Sequence, residues 1–316
     1  MIVIDAAATR QALPFDRLVE ALRAQFADDS CVVPARHVHE IASPGGTPVT
    51  SLIMPAWQPG RYYGVKVVNI APGNAARGLP GLHASYLLHD AATGAPLALI
   101  DGDEITARRT VAASALAASY LARGDARHLL VVGAGRVAQL LPQAYRAVRA
   151  IKQVSVWARN AAQAERLAVD WLAQGIDASA VTDLAAAVAQ ADIVSCATLA
   201  TAPLIEGRWL SPGSHLDLIG SFTPTMREAD DDCFAGASLY VDTDEALRKS
   251  GDLLGPMSRG VFSAADVRGT LADLARGDAN GRTWADERTV FKSVGTALED
   301  LAAAVLAYEV AHADHG

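Results

Sequence analysis

The chain has 316 residues, 51% of them apolar and 20% charged, with a net charge of −8. That length predicts two domains, and that composition predicts a soluble chain with a large core. The negative balance argues against nucleic acid or an anionic membrane as a partner. The start, Met1-Ile-Val-Ile-Asp5, has no basic or long apolar segment, so no secretory signal is read. The longest small-apolar run, residues 111–122, is too short to span a bilayer. Cys31, Cys196 and Cys233 are isolated and lack metal-ligand spacing, which predicts free thiols and a cytoplasmic location, with no metal.

In chain order, residues 13–27 have helical period, with Leu13, Leu18, Leu22 and Phe26 on one side. Residues 49–54, 62–68, 82–89 and 96–100 read as strands. Gly45-Gly46, Pro59-Gly60, Pro72-Gly73-Asn74 and Thr93-Gly94 read as turns. With no long helix between them, these strands predict an antiparallel or mixed sheet. Residues 106–121 form a helix that carries Arg108 and Arg109 early and links two domains.

From residue 128 strand and helix alternate. Strands are predicted at 129–132, 154–157, 193–196, 216–219 and 239–241, and helices at 137–150, 161–174 and 184–190. A helix at 264–276 closes the series. The chain therefore reads as α/β, with a Rossmann-type doubly wound parallel sheet. A last alanine-rich helix, 294–311, is expected to return to the first domain. That gives a discontinuous α+β domain, 1–115 with 296–316, and a dinucleotide-binding domain, 116–295.

The stretch His128-Leu-Leu-Val-Val-Gly-Ala-Gly-Arg-Val-Ala-Gln139 turns a strand into a helix whose N-terminus suits a phosphate. Gly133 permits the turn, Gly135 lets the backbone approach a pyrophosphate, and Ala138 is the third small position. Arg136 and Val137, at the start of the expected helix, join the cradle. The next strand ends Val154-Ser-Val-Trp-Ala-Arg159-Asn160, without the acid that usually holds the ribose of NAD. Arg159 stands there instead, 24 residues after Gly135. A guanidinium can hold a 2′-phosphate with two parallel bonds. NADPH is therefore favoured, with NADH possible. Asn160 is a good helix N-cap with either cofactor. Lys66, inside Val65-Lys-Val-Val68, is either outward and solvated or a desolvated functional amine, and the alternation leaves both open.

Several further motifs, in this order, resemble the ornithine cyclodeaminase and mu-crystallin family almost end to end. They are Gly64-Val-Lys66-Val-Val, Ile105-Thr-Ala-Arg-Arg109-Thr-Val-Ala-Ala, Val132-Gly-Ala-Gly135 and Thr198-Leu-Ala-Thr-Ala-Pro203. Ile219-Gly-Ser-Phe-Thr-Pro224 with Arg227-Glu228, Ser250-Gly-Asp252, and Phe291-Lys-Ser293-Val-Gly295 with Glu299-Asp300 follow. The resemblance implies a homodimer formed through the N-terminal sheet, a nicotinamide cofactor and a small amino or imino acid substrate. It implies that Arg36 clamps the substrate carboxylate, although Arg36 alone, just after Pro34, would read as a surface arginine. It makes Lys66 a substrate-holding and catalytic amine. It places Arg109 on the cofactor phosphates, Ser85 near the cofactor, and Thr198 and Ser293 at the nicotinamide half.

True cyclodeaminases of this family carry an aspartate in a Gly-Asp-x-Pro loop. Here the loop is Gly220-Ser221-Phe222-Thr223-Pro224, and Phe222 takes the acid's place. Cyclodeamination needs a carboxylate base. A phenyl ring exchanges no protons but can pack on a flat cyclic imine. The resemblance therefore implies reduction of a cyclic ketimine acid, Δ1-pyrroline-2-carboxylate or Δ1-piperideine-2-carboxylate, to L-proline or L-pipecolate. Alternatives are an ornithine cyclodeaminase with bound NAD, an alanine-type dehydrogenase, and a non-catalytic ligand-binding protein. His83 shares a strand face with Ser85 and is a second candidate proton donor. Ring size stays open, because one methylene is worth only about 1–3 kcal/mol.

Overall fold

The computed structural model describes residues 1–43 and 46–313. The chain divides into two compact units, Met1–Arg109 with the segment from Thr296, and Thr110–Gly295. The first division falls between Arg109 and Thr110, a few residues before residue 115.

The first unit is built on a six-stranded sheet: β1 (Ile2–Ile4), β2 (His37–Ile41), β3 (Val49–Gln58), β4 (Tyr62–Ile70), β5 (Leu82–Asp90) and β6 (Pro96–Asp101). Its order is β1-β6-β5-β4-β3-β2. β1 runs parallel to β6, and the other pairs are antiparallel, so the sheet is mixed. Two strands escaped the sequence reading. β1 has three residues, too few to show a period, and every residue of β2 is exposed, so nothing alternates. The helix expected over residues 13–27 is α2 (Phe15–Ala27), and a short helix not expected from the sequence, α1 (Ala6–Ala12), precedes it. Asp5 caps α1 by accepting from the Ala8 amide at 2.9 Å, and Pro14 is the N-cap of α2. Pro72–Arg77 is a short 3-10 helix, whereas Gly45 lies outside the described residues.

β4 alternates strictly in its middle. Gly64, Lys66 and Val68 are buried, and Val65 and Val67 face the other way. The buried face includes Met54 and Ala56 of β3 and Tyr86 and Leu88 of β5. The C-terminal helix, Ala297–Ala313, packs against β3, β4 and α2. It begins later than residue 294 because Gly295 has a φ of +77°. The Val294 and Gly295 amides are also committed, donating to Asp242 at 2.7 and 2.6 Å.

α3 (Gly102–Leu121) carries the chain from the first unit into the second. It starts before residue 106 because Asp101 accepts from the Glu104 amide at 2.8 Å. Its Ala107, Val111, Ala112, Ala113, Ala115 and Leu116 are all buried. Arg149 donates to carbonyls at and just after the C-terminal end of α3. Its Nη2 donates to Ser119 and Ala122 at 2.9 Å, and its Nε donates to Arg123 at 3.0 Å.

The second unit holds β7 (His128–Val132), β8 (Gln153–Trp157), β9 (Ala178–Ala180), β10 (Ile193–Cys196), β11 (His215–Leu218), β12 (Ser238–Val241), β13 (Val267–Thr270) and β14 (Thr289–Lys292). All are parallel, in the order β13-β12-β14-β11-β10-β7-β8-β9. Its helices are α4 (Arg136–Arg146), α5 (Ala161–Ala173), α6 (Leu184–Gln190), α7 (Ala246–Lys249), α8 (Gly251–Ser258) and α9 (Leu271–Arg276). The chain runs outward from β7 through β8 to β9, then returns to lay β10 on the other side of β7. The order therefore reverses between β7 and β10, where doubly wound sheets take their ligands.

The expected helix 264–276 is corrected. Residues 267–270 form β13 beside β12, and a helix starts afresh at Leu271. Thr270 and Asp273 make a capping box, with Thr270 donating to Asp273 and Asp273 donating back at 3.2 Å. Central β14 was missed because its apolar run is only Val290-Phe291, bounded by polar Thr289 and Lys292, which are nevertheless buried.

Between β7 and α4, Gly133 has a φ of +123°, and a Cβ there would lie 2.6 Å from the Ala197 carbonyl. Gly133→Ala is expected to cost about 1–3 kcal/mol for the strained backbone alone, read from the urea unfolding midpoint. Arg149→Met keeps the aliphatic stem but strips the carbonyls at the end of α3. It should cost about 2–3 kcal/mol in the same measurement.

Candidate active site

On the inner face of the first unit's sheet, Lys66 is 1% exposed. Its alternatives are thus resolved in favour of the desolvated amine. Nζ lies 2.7 Å from both oxygens of Asp300, with the hydrogen bond directed at Oδ1. Arg109 donates from Nε to the same Oδ1 at 2.9 Å and from Nη1 to Glu299 at 2.5 Å. Two cations and two carboxylates thus close on one another, all buried. Burial pulls the Lys66 ammonium down to about 8; Asp300 draws it up and Arg109 pushes it further down. Burial pushes the Asp300 carboxyl up, but Lys66 and Arg109 outweigh it and hold the acid below its ordinary value. Asp300 is the hydrogen-bond partner of Lys66 among the described residues, so an ammonium with three N–H groups keeps donor capacity. Tyr86 is the cross-strand neighbour of Lys66, and its hydroxyl is buried without a hydrogen-bond partner among the described residues. A Cβ at Gly64 would overlap that hydroxyl, which accounts for the glycine two residues before the lysine.

Arg109 was expected on the cofactor phosphates. Its Nε and Nη1 are spent on the two carboxylates. Arg36 is half-buried immediately before edge strand β2. Ser85 and His83 are both exposed on β5. Gly102 opens α3 tight against the β5 backbone, since a Cβ there would come within 2.6 Å of the Ser85 amide nitrogen.

The other expected cofactor residues belong to the second unit. Gly135 is the N-cap of α4, and a Cβ there would meet nothing within 4 Å. The first-turn amides, beginning with those of Arg136 and Val137, have no acceptor within the helix. Open backbone plus a helix N-terminus fits a pyrophosphate. Arg159 is exposed with no ion pair among the described residues. Asn160 is the N-cap of α5 but makes no side-chain cap bond. Thr198 follows β10, and Ser293 follows β14 and is buried. Phe222, 44% exposed, and Leu199, 77% exposed, are held out beyond the carboxyl ends of β11 and β10. The Phe222 loop is pinned from below, where the buried Ser221 hydroxyl donates to the Met226 carbonyl at 2.5 Å and meets Ser250 at 3.0 Å.

Glu228 was noted only as part of a motif, and no role was read for it. It is fully buried and accepts the Thr198 amide and hydroxyl at 2.7 and 2.8 Å and the Gly220 amide at 2.7 Å. One carboxylate thus brackets the ends of β10 and β11. Burial lifts its acid to about 7, opposed by Lys292. Asp252 accepts the Glu228 and Ala229 amides at 2.8 and 3.1 Å, and Lys292 lies 4.0 Å from its other oxygen. Acids flanked by loop residues carry no period, so only the order of motifs marked them. Among the described residues, no cluster of His, Cys, Asp and Glu could hold a metal, and no helix is long and apolar enough to cross a membrane.

Known proteins agree with this architecture. The description of the ornithine cyclodeaminase/mu-crystallin family matches residues 14–315. The chain is 48% identical over 254 residues to the Delta(1)-pyrroline-2-carboxylate reductase of Paracoccus denitrificans, covering 80% of each. It is 34% identical over 296 residues to the ketimine reductase mu-crystallin of Rattus norvegicus, covering 92% of this chain and 90% of that one. The solved structure of Thermococcus litoralis Delta(1)-pyrroline-2-carboxylate reductase, in complex with NADH and L-proline, matches with a TM-score of 0.93. Its identity is 34%, covering 100% of this chain and 98% of that one. The chain belongs to the ornithine cyclodeaminase/mu-crystallin family.

Proposed function

We propose that this protein reduces a cyclic ketimine acid, Δ1-pyrroline-2-carboxylate or Δ1-piperideine-2-carboxylate, to the corresponding L-amino acid with NAD(P)H. The observation that carries the reading is Lys66, a buried ammonium with donor capacity left beyond its one carboxylate partner. Phe222, where cyclodeaminases carry their base, speaks against ammonia release. The names of the relatives point the same way.

A reduced nicotinamide, when bound, would supply the hydride for the imine carbon. Arg36 clamps the substrate carboxylate with its planar fork. Lys66 Nζ holds the imine nitrogen and gives it a proton, so the nitrogen accepts a proton as the carbon accepts the hydride. The exposed rings and chains of Phe222 and Leu199 exclude water at the carboxyl ends of their strands. Gly133, Gly135 and the α4 amides would cradle the cofactor's pyrophosphate, and Thr198 and Ser293 would hold the nicotinamide half. NADPH is the preferred cofactor, because Arg159 is unpaired and no carboxylate stands at the end of β8 to repel a 2′-phosphate. NADH is the second donor. A homodimer would cover the outward face of the first unit's sheet, where Val65, Val67 and Leu87 are half-buried and Leu99 is exposed. A cytoplasmic location agrees with three free thiols.

The deciding assay mixes the protein with reduced cofactor and, separately, the ketimine, pyruvate plus ammonium, or ornithine. Cofactor oxidation with the ketimine alone supports the reading, and ammonia from ornithine without added cofactor would falsify it. Lys66→Met should lower turnover by about 10²-fold or more, the share of a positioned proton donor, while NADPH binding stays within about twofold. Because the protonated lysine is the donor, kcat/KM should be full below about 8 and fall as the pH rises through that value. Arg159→Ala should raise the KM for NADPH about tenfold or more, the loss of a charge-assisted pair, and leave that for NADH nearly unchanged.

A further inference from the structure

We infer that Asp300 is a positioning residue for this reaction, holding the Lys66 ammonium in its charged form and in a fixed direction. The inference rests on Lys66 as the proton donor.

The C-terminal helix opens with two adjacent acids, Glu299 and Asp300, both wholly buried and followed by Leu301, Ala302, Ala303 and Ala304, also buried. Packing on a sheet asks for no acid at either position. A buried carboxylate survives only where cations and donors compensate it. The two acids divide that task. Glu299 takes Nη1 of Arg109 at 2.5 Å, while Oδ1 of Asp300 takes both Nε of Arg109, at 2.9 Å, and Nζ of Lys66, at 2.7 Å. Arg109 thus fixes the carboxylate, and the carboxylate fixes the lysine. Nζ is equidistant from both oxygens, at 2.7 Å, so the ammonium sits squarely on the acid and its remaining donor capacity points away from it.

The groups that face Lys66 are few. Asp300 and Glu299 come from the C-terminal helix, and Arg109 comes from α3. Tyr86 comes from β5, its hydroxyl kept neutral because burial pushes it up. From β3 the register partner is Met54, which carries no charge. Asp300 and Glu299 favour the ammonium; burial and Arg109 oppose it. Removing the charge of Asp300 leaves Lys66 beside a buried guanidinium with one acid between two cations. The lysine then sheds its proton at lower pH, and a neutral amine has no proton to give the imine nitrogen.

The test is the pH profile of ketimine reduction by Asp300→Asn, which keeps the shape of the side chain and an oxygen acceptor. The alkaline limb of kcat/KM should move down by about one pH unit or more, a tenfold loss per unit on that limb. NADPH affinity should hold within about twofold. In a Lys66→Met background the same change should move nothing further, because paired residues are not additive. A folded Asp300→Asn enzyme with the wild-type limb overturns the inference and leaves the proposed reaction standing; failure of the wild type to reduce the ketimine defeats the reaction itself. If Asp300→Asn does not fold, Asp300→Glu is measured instead. It keeps the charge but shifts it by one methylene, so the limb should stay while kcat falls; an unchanged kcat overturns the positioning role.

Discussion

Everything in the first unit turns on a buried ion pair. Lys66 and Asp300 are among its least exposed side chains, yet they sit in the middle of its sheet and on the helix that covers it. Neither charge would be tolerated there alone, since desolvating a single ion costs several kcal/mol and the group would neutralise instead. Arg109 and Glu299 complete the balance, two charges of each sign. The result ties together the central strand β4, the start of α3 and the returning C-terminal helix. Those elements are separated by long stretches of chain, with Lys66 and Asp300 234 residues apart. The discontinuous unit is therefore sewn together by the same residues that are proposed to do its chemistry.

The second unit meets a comparable problem with backbone donors instead of cations. The strand order reverses between β7 and β10, which leaves loop amides near the ends of the strands. Glu228 absorbs three donors there, and Asp252 absorbs two. Asp242 does the same for the amides that follow β14. Each of these acids is buried. Their negative charge is spent on shaping loops.

Much of the second unit was legible in the sequence. The residue ranges of α6 and β10 coincide with their expected bounds, and β7, β8 and α5 differ by a residue or so, because buried parallel strands are continuous apolar runs and their helices are amphipathic. The glycine turn was legible because only glycine adopts the φ of Gly133 without strain. Elements that obey no period were missed. Exposed β2 has no inner face, central β14 has only two apolar residues between Thr289 and Lys292, and β13 runs into the helix that the capping box at Thr270 starts.

The site divides along the same line. By itself the sequence determined the class of fold, the glycine turn and the missing acid at the end of β8. These are properties of local residue type, and local geometry reads them, whereas Phe222 in place of a base was read from the family resemblance. The sequence could not decide which way Lys66 faced, because alternation on a strand marks two faces without saying which is covered. Nor could it pair Lys66 and Arg109 with two acids near the other end of the chain. Tertiary structure decided both, since the cost of burying a charge is met only by groups brought within hydrogen-bond reach, and that reach is a matter of folding rather than of sequence neighbourhood.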